Sequence, residues 1–200
     1  MKVEHRTLNI EHRIEMSQKL LKPENCYLHI IDPQERLMTQ IHESARVVDT
    51  IRKVVHCARI IGIPIVANTQ YRKGLGVYVP ELEELMVDVP RPDKTEFNCL
   101  ANAETLDLVQ GLPATVNTAV LVGVETHICI YQTALGLLEK GIRPWIVADG
   151  VSSRAEVNYT LGLARLRDVG AAVGPAEMII YELLARAGTG EFKAILPYIL

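Results

Sequence analysis

Three residues in this chain are of the types that together carry out acyl transfer. Asp32 ends the stretch "CYLHIID", Lys94 sits in "RPDKTEF", and Cys129 lies in "GVETHICIYQTALGLLEKG" (123–141), just after the apolar run begun by "TAVLV". A cysteine at the start of a helix feels the partial positive charge of unpaired amides, and a nearby ammonium adds to it; both favour thiolate over thiol. A carboxylate beside it can take the thiol proton and return it to a leaving amine, while amides at a strand-to-helix turn hold the oxyanion. Each residue taken singly also has a plainer reading. Aspartates at strand ends commonly cap helices, loop lysines are commonly solvated, and free cysteines commonly fill space in a core.

The elements that must position these residues alternate along the chain. "CYLHII" is a buried-strand candidate, and "SARVVDTIRKVVHCARIIG" places apolar residues at 47/48, 51, 54/55, 58 and 61, a helical spacing closed by Gly62. "IPIVANT" is a second strand, and "QYRKGLGVYVP" a surface loop. "ELEELMVDVPRP" fits either a short helix or a helix leading to a strand, and a helix is expected from about Ala103 to Gln110. The strand "TAVLVGV", a helix from about His127 to Lys140, the strand "RPWIVAD", a helix from Arg154, the strand "AAVG" and closing helices complete the order. "SRAE" at Ser153–Glu156 reads as a capping box for the helix after "RPWIVAD". Strands apolar on both faces that alternate with helices imply an α/β class: a three-layer α/β/α sandwich around a mostly parallel sheet of about six strands, Rossmann-like in outline. In such a sheet the ligand crevice lies beyond the carboxyl ends of the strands, where Asp32, Gln70, Tyr71 and Glu125–Cys129 fall. Residues 1–25 read as an N-terminal arm and 26–200 as one domain.

Composition narrows the partners. The chain has 200 residues, 48% of them hydrophobic, and a formal net charge of -3 with acids and bases interspersed. No basic stripe is available for phosphates, so no nucleic-acid partner is expected. The apolar runs fall short of the roughly 20 residues a membrane span needs, and no apolar signal core opens the chain, which points to no membrane partner and to the cytoplasm. Four cysteines, at 26, 57, 99 and 129, include no C-x-x-C pair, so free thiols in a reducing compartment are expected. "KGLG" lacks phosphate-loop spacing and no G-x-G-x-x-G follows the first strand.

Five motifs in order, "IIDPQERL" (30–37), "QYRKGLG" (70–76), "DKTEF" (93–97), "VGVETHICIYQTALGLLEKG" (122–141) and "VADGVSSR" (147–154), resemble the isochorismatase-like cysteine hydrolase superfamily. The resemblance is narrowest to its isochorismatase domain-containing branch and runs from about Cys26 to the C-terminus. It implies that Asp32, Lys94 and Cys129 are the catalytic aspartate, lysine and nucleophile. It implies a cis peptide at Val124-Glu125 that aims the Glu125 and Cys129 amides as an oxyanion hole, and self-association into a homo-oligomer. The chain departs from the nicotinamidases of that superfamily, which place an aspartate and histidines after the second strand as metal ligands. Here the position reads "QYRKGLG", and the six histidines include no pair at ligand spacing there, so neither metal nor cofactor is expected. His29 and His56 are expected to pack in a strand and a helix. Gln34, Gln70, Tyr71 and Phe97 are candidate pocket residues for a small-molecule substrate, and Cys99, close to Lys94 in sequence, is the rival thiol.

The expected activity is metal-independent hydrolysis of a small amide, carbamoyl or related C–N bond substrate through a Cys-Asp-Lys triad and a thioester acyl-enzyme. Two rivals stand beside it: an oligomeric binding scaffold that retains the triad, and a vinyl ether hydrolase in which the aspartate does the protonation.

Overall fold

β1 (Cys26–Ile31) and β4 (Thr118–Val124) are buried along their whole length, which requires a layer of helices on each face of the sheet. The computed structural model describes residues 20–199. Its six strands follow the order β3-β2-β1-β4-β5-β6, with β2 spanning Ile65–Gln70, β3 Asp93–Lys94, β5 Arg143–Ser152 and β6 Ala172–Gly174. All pairings are parallel. The architecture is the expected three-layer α/β/α sandwich.

Side-chain alternation sorts the strands onto two cores. Leu28, Ile30, Val120, Val122 and Val147 face α1 (Ser44–Ile61), α5 (Ala176–Leu184) and α6 (Gly190–Ile199). Tyr27, Ile31, Ala119, Leu121 and Ile146 face α2 (Ala103–Gln110), α3 (Tyr131–Glu139) and α4 (Glu156–Asp168). Helix α1 stops where Gly62 takes a left-handed φ of 81°, a conformation glycine adopts without steric cost. The segment "ELEELM" forms two short helical turns, Pro80–Glu83 and Glu84–Met86. The expected arm, residues 1–25, lies mostly outside the described residues. Within its last six residues, Leu21 is buried in the first core and its amide donates to a Glu182 carboxylate oxygen at 3.1 Å.

The strand order reverses between β1 and β4. From β1 the chain builds outward through β2 and β3, then returns past α2 to start β4 on the other side. Loops leaving β1 and β4 therefore part in opposite directions and open a crevice at their carboxyl ends. Asp32 follows β1, and the segment carrying Cys129 follows β4.

The end of β5 and the start of α4 differ from the sequence expectation. β5 runs on to Ser152, past the expected end at Asp149, because a register shift opposite Leu121 and Gly123 absorbs the extra residues and lets pairing resume at Val151 and Ser152. Helix α4 starts at Glu156 with no side-chain cap. The Ser153 hydroxyl that would have formed the capping box instead lies 2.9 Å from His127 Nδ1.

Gly123 is what allows β4 to close on β1 at this end. Its φ is 115°, and a Cβ there would sit 2.0 Å from the Ile31 carbonyl oxygen, a backbone atom that cannot move aside. A Gly123→Ala substitution therefore combines a disfavoured dihedral with a backbone clash, and urea denaturation should show a loss of about 3 kcal/mol or more. A loss under about 1 kcal/mol would show that the two strand ends are not held this tightly.

Candidate active site

Asp32 leaves β1 with a left-handed φ of 57°, a conformation that aspartate tolerates better than most residues. Its amide donates to the Asn68 carbonyl at 3.2 Å and its carbonyl accepts from the Gln34 amide at 2.8 Å. Lys94 lies on β3, two strands away, in register with Gln70 of β2. Strands are spaced about 4.8 Å apart, so a side chain reaching from β3 to the end of β1 must cross the whole of β2. Lysine has the length for this, and its Nζ lies 2.7 Å from Asp32 Oδ2 and 2.6 Å from Gln70 Oε1. Both charged residues are 1% exposed.

Cys129 enters from the other side of the crevice. After the Val124-Glu125 peptide, which is cis, residues Thr126–Ile130 form a π-helical turn that runs directly into α3. Such turns concentrate at functional sites because they displace one side chain from the regular helical position. Two close approaches hold this turn: a Cβ on Gly162 of α4 would lie 3.2 Å from the His127 amide nitrogen, and one on Gly136 of α3 would lie 2.6 Å from the Asn98 side chain. The Cys99 amide also donates to Thr133 Oγ1 at 3.0 Å, tying the segment after Lys94 to the helix of Cys129. Lys94 Nζ then lies 3.8 Å from Cys129 Sγ. Asp32, Lys94 and Cys129 thus converge.

The electrostatics are set by burial. The Asp32 carboxyl is raised above the ordinary carboxylate range by desolvation, partly opposed by the Lys94 charge and its hydrogen bond. Burial works against the Lys94 charge, but Asp32, Cys99 and Cys129 together outweigh it, so the ammonium is held above its usual value. The two directions pull oppositely on one ion pair. At 2.7 Å the lysine stays cationic, and the carboxylate beside it is a stronger base than an ordinary aspartate. The Cys129 thiol is raised by burial and by the Asp32 carboxylate, with Lys94 opposing. This corrects the expectation of a thiolate favoured at rest: desolvation outweighs the helix terminus and the ammonium, so the proton resides on sulfur until a base removes it. Asp32 Oδ1 is buried and takes no bond from Lys94 or the backbone, and the Cys129 thiol lies near enough to shift the carboxyl. That oxygen is the acceptor available to the thiol proton.

The remaining sequence candidates fall into place differently. Gln70 is a support, since its Oε1 accepts from Lys94 and its Nε2 donates to the Thr95 carbonyl at 2.9 Å. Gln34 is fully buried and its amide is occupied by backbone: Nε2 donates to the Gln70 and Gly76 carbonyls, and Oε1 accepts from the Gln70 amide. It braces the rim and has no donor left for a ligand. Tyr71 and Phe97 are about half exposed, beside Gln70 and Lys94 in the chain. The Glu125 carboxylate turns away to Arg154, accepting from its amide at 2.8 Å and its Nε at 3.1 and 3.2 Å. Cys99 is fully buried, with its thiol pushed up to about 12 by burial. His29 is buried in β1, and His56 on α1 stacks on Tyr198. Among the described residues no three His, Cys, Asp or Glu side chains gather as a metal site. The sequence reading missed the π turn and the supporting role of Asn68; the polar Asn68, Thr69 and Gln70 ending an otherwise apolar strand were the available signal.

A model of the isochorismatase domain matches residues 26–178. The chain is 33% identical over 178 residues to the secreted isochorismatase effector Isc1 of Phytophthora sojae, covering 88% of this chain and 84% of that protein. It is 35% identical over 175 residues to isochorismatase domain-containing protein 1 of Danio rerio, covering 88% of this chain but only 61% of that longer protein. Among solved structures, a protein described as the MAR1 ribonuclease of Caenorhabditis elegans superposes with a TM-score of 0.83 at 32% identity, covering 90% of this chain and 92% of that one.

Because Asp32 raises the Cys129 thiol and Lys94 lowers it, removing the carboxylate should leave the ammonium unopposed. An Asp32→Asn protein should show thiolate absorbance at 240 nm from Cys129, isolated by difference against Cys129→Ala, appearing at lower pH than in the wild type. Lys94→Met should move it the other way. An Asp32→Asn titration at equal or higher pH would show that the two groups do not interact.

Proposed function

Since the chain belongs to the isochorismatase-domain family of hydrolases, we propose that it is a metal-independent cysteine hydrolase of a small amide, carbamoyl or related C–N bond substrate. The observation that carries this reading is the single ammonium of Lys94, 2.7 Å from Asp32 Oδ2 and 3.8 Å from Cys129 Sγ, with Asp32 Oδ1 left unpartnered. As Sγ attacks the carbonyl carbon, Oδ1 takes the thiol proton and the carbonyl π pair moves to oxygen. The backbone amides of Glu125 and Cys129 receive that oxyanion. Lys94 holds Oδ2 throughout, which keeps the carboxylate aimed and offsets the negative charge passing between sulfur and oxygen. Asp32 then returns the proton to the departing nitrogen, the C–N bond breaks, and a thioester remains. Water attacks the thioester while Asp32 takes its proton; collapse releases the acid and the proton returns to sulfur.

Cys129 is 6% exposed and its two partners 1%, which supports a small reacting group. Where nicotinamidases carry ligands after the second strand this chain reads "QYRKGLG", and its Gln70 is committed to Lys94 and the Thr95 carbonyl. The nematode neighbour is described as a ribonuclease; phosphodiesters call for cations free to meet phosphate, whereas the cation here is buried and paired. Tyr71 and Phe97 are proposed as the walls that select the substrate. A homo-oligomer is also proposed, since Val157 and Leu161, one turn apart on α4, and Met178 and Tyr181 on α5 remain exposed. Four free cysteines support a reducing compartment such as the cytoplasm, although the Phytophthora relative is described as secreted. No helix among the described residues is long and apolar enough to cross a membrane.

The raised Asp32 carboxyl favours a second reading, vinyl ether hydrolysis with Asp32 as the acid. A panel of small amides and carbamoyl compounds together with a vinyl ether separates the two. On the amide reading, Cys129→Ala and Asp32→Asn each lower kcat by about a thousandfold or more. Turnover that survives Cys129→Ala but not Asp32→Asn would overturn that reading in favour of the second.

A further inference from the structure

Behind the ion pair runs a buried polar chain that the hydrolytic steps do not use. Tyr27 OH lies 3.5 Å from His29 Nδ1, and His29 Nε2 lies 2.8 Å from Asn68 Oδ1. Asn68 Nδ2 donates to the Pro92 carbonyl at 3.2 Å and to Thr105 Oγ1 at 2.6 Å. The Thr105 hydroxyl in turn donates to Asn102 Oδ1 at 3.0 Å. Tyr27, His29, Asn68 and Thr105 are each 3% exposed or less.

The proton positions follow from counting donors. The Pro92 carbonyl can only accept, and the Thr105 hydroxyl has already given its hydrogen to Asn102, so both amide hydrogens of Asn68 are committed. Asn68 Oδ1 must therefore accept from His29. The imidazole carries its hydrogen on Nε2, which leaves the Nδ1 lone pair facing the Tyr27 hydroxyl.

Asn68 also bonds Asp32 directly and the segment that leads into Lys94. Its carbonyl accepts the Asp32 amide and the Tyr78 hydroxyl, the latter at 2.7 Å. Its side chain holds Pro92, two residues before Lys94, on the carbonyl that also receives the Thr69 amide at 3.1 Å. We infer that Asn68, locked by a neutral His29 in the Nε2–H form, is the positioning residue that fixes Asp32 and Lys94 at hydrogen-bonding separation beneath Cys129. A protonated His29 would have no acceptor for a second hydrogen except the Tyr27 oxygen, and it would face the Lys94 charge. Burial, with Lys94 opposing a further positive charge, lowers its pKa to about 4, in spite of the Asn68 hydrogen bond. This inference deepens the hydrolase reading and rests on it.

The test compares His29→Gln, whose amide can still donate to Asn68, with His29→Leu, which cannot. The readout is the rate of iodoacetamide alkylation at Cys129 near neutral pH, resolved by peptide mass spectrometry with Cys57 as an internal reference. His29→Gln should stay within about threefold of the wild type and His29→Leu should fall by roughly tenfold or more at Cys129 alone, as loss of orientation at a reacting pair implies. An unchanged rate in His29→Leu, or an equal loss in both variants, would overturn the inference. In case His29→Leu does not fold, nitrogen-15 NMR of the wild type provides the second measurement. The His29 ring should show the Nε2–H form and stay neutral from pH 8 down to pH 5, whereas an Nδ1–H ring or titration near the ordinary value of about 6.5 would overturn it. If wild-type Cys129 is no more reactive than Cys57, the hydrolase reading fails on its own, and the NMR result still decides the His29–Asn68 assignment.

Discussion

Two opposite charges removed from water are costly to bury, and this chain buries them 2.7 Å apart where the sheet changes direction. Desolvation of that kind is tolerated only with good geometry and additional hydrogen bonds, and much of the surrounding structure supplies them. Gln70 takes a second bond from Lys94, Gln34 fixes the Gln70 backbone, and Asn68 ties the Asp32 amide to the strand beside it. Gly123 lets β4 come close enough to β1 that the π turn with Cys129 arrives over the pair. Removing either charge would leave the other stranded, so chemistry and stability are coupled at this one contact.

The same burial determines how the thiol can be used. A cysteine at an exposed helix terminus near an ammonium would ionise readily; here desolvation and the neighbouring carboxylate keep the proton on sulfur. Because the carboxyl is also raised, Asp32 is a better acceptor for the thiol proton than an ordinary carboxylate, which suits proton transfer in step with bond formation. On the proposed mechanism the nucleophile is generated when substrate arrives.

Much of the architecture was legible in the sequence because the strands are apolar on both faces and the helices carry strong periodicity. The ends of β1, β4 and α2 and the Gly62 stop lie where composition places them. The short polar links were not legible. The extension of β5 depends on a register shift against β4, a relation between distant segments that no local pattern reveals, and Ser153 was drawn from a cap to a bond with His127. At the site, Asp32 and Cys129 stood out because they follow buried strands. Lys94 did so because its type complements theirs. Gln34 and Gln70 read as ligand-facing, since a polar side chain near a strand end gives no sign of whether it meets a ligand or the protein's own backbone. The role of His29 and Asn68 was hidden for the same reason: a histidine within an apolar strand looks like packing until its partner across the sheet is known.

The central claim is that carbon–sulfur bond formation at Cys129 precedes hydrolysis. It is tested most directly by incubating the protein with p-nitrophenyl acetate, quenching in acid and locating the acetyl group by peptide mass spectrometry. The account predicts a transient adduct on Cys129, absent from Cys26, Cys57 and Cys99, that decays as product accumulates and forms much more slowly in Asp32→Asn. Steady hydrolysis with no adduct on Cys129, undiminished in Cys129→Ala, would contradict it.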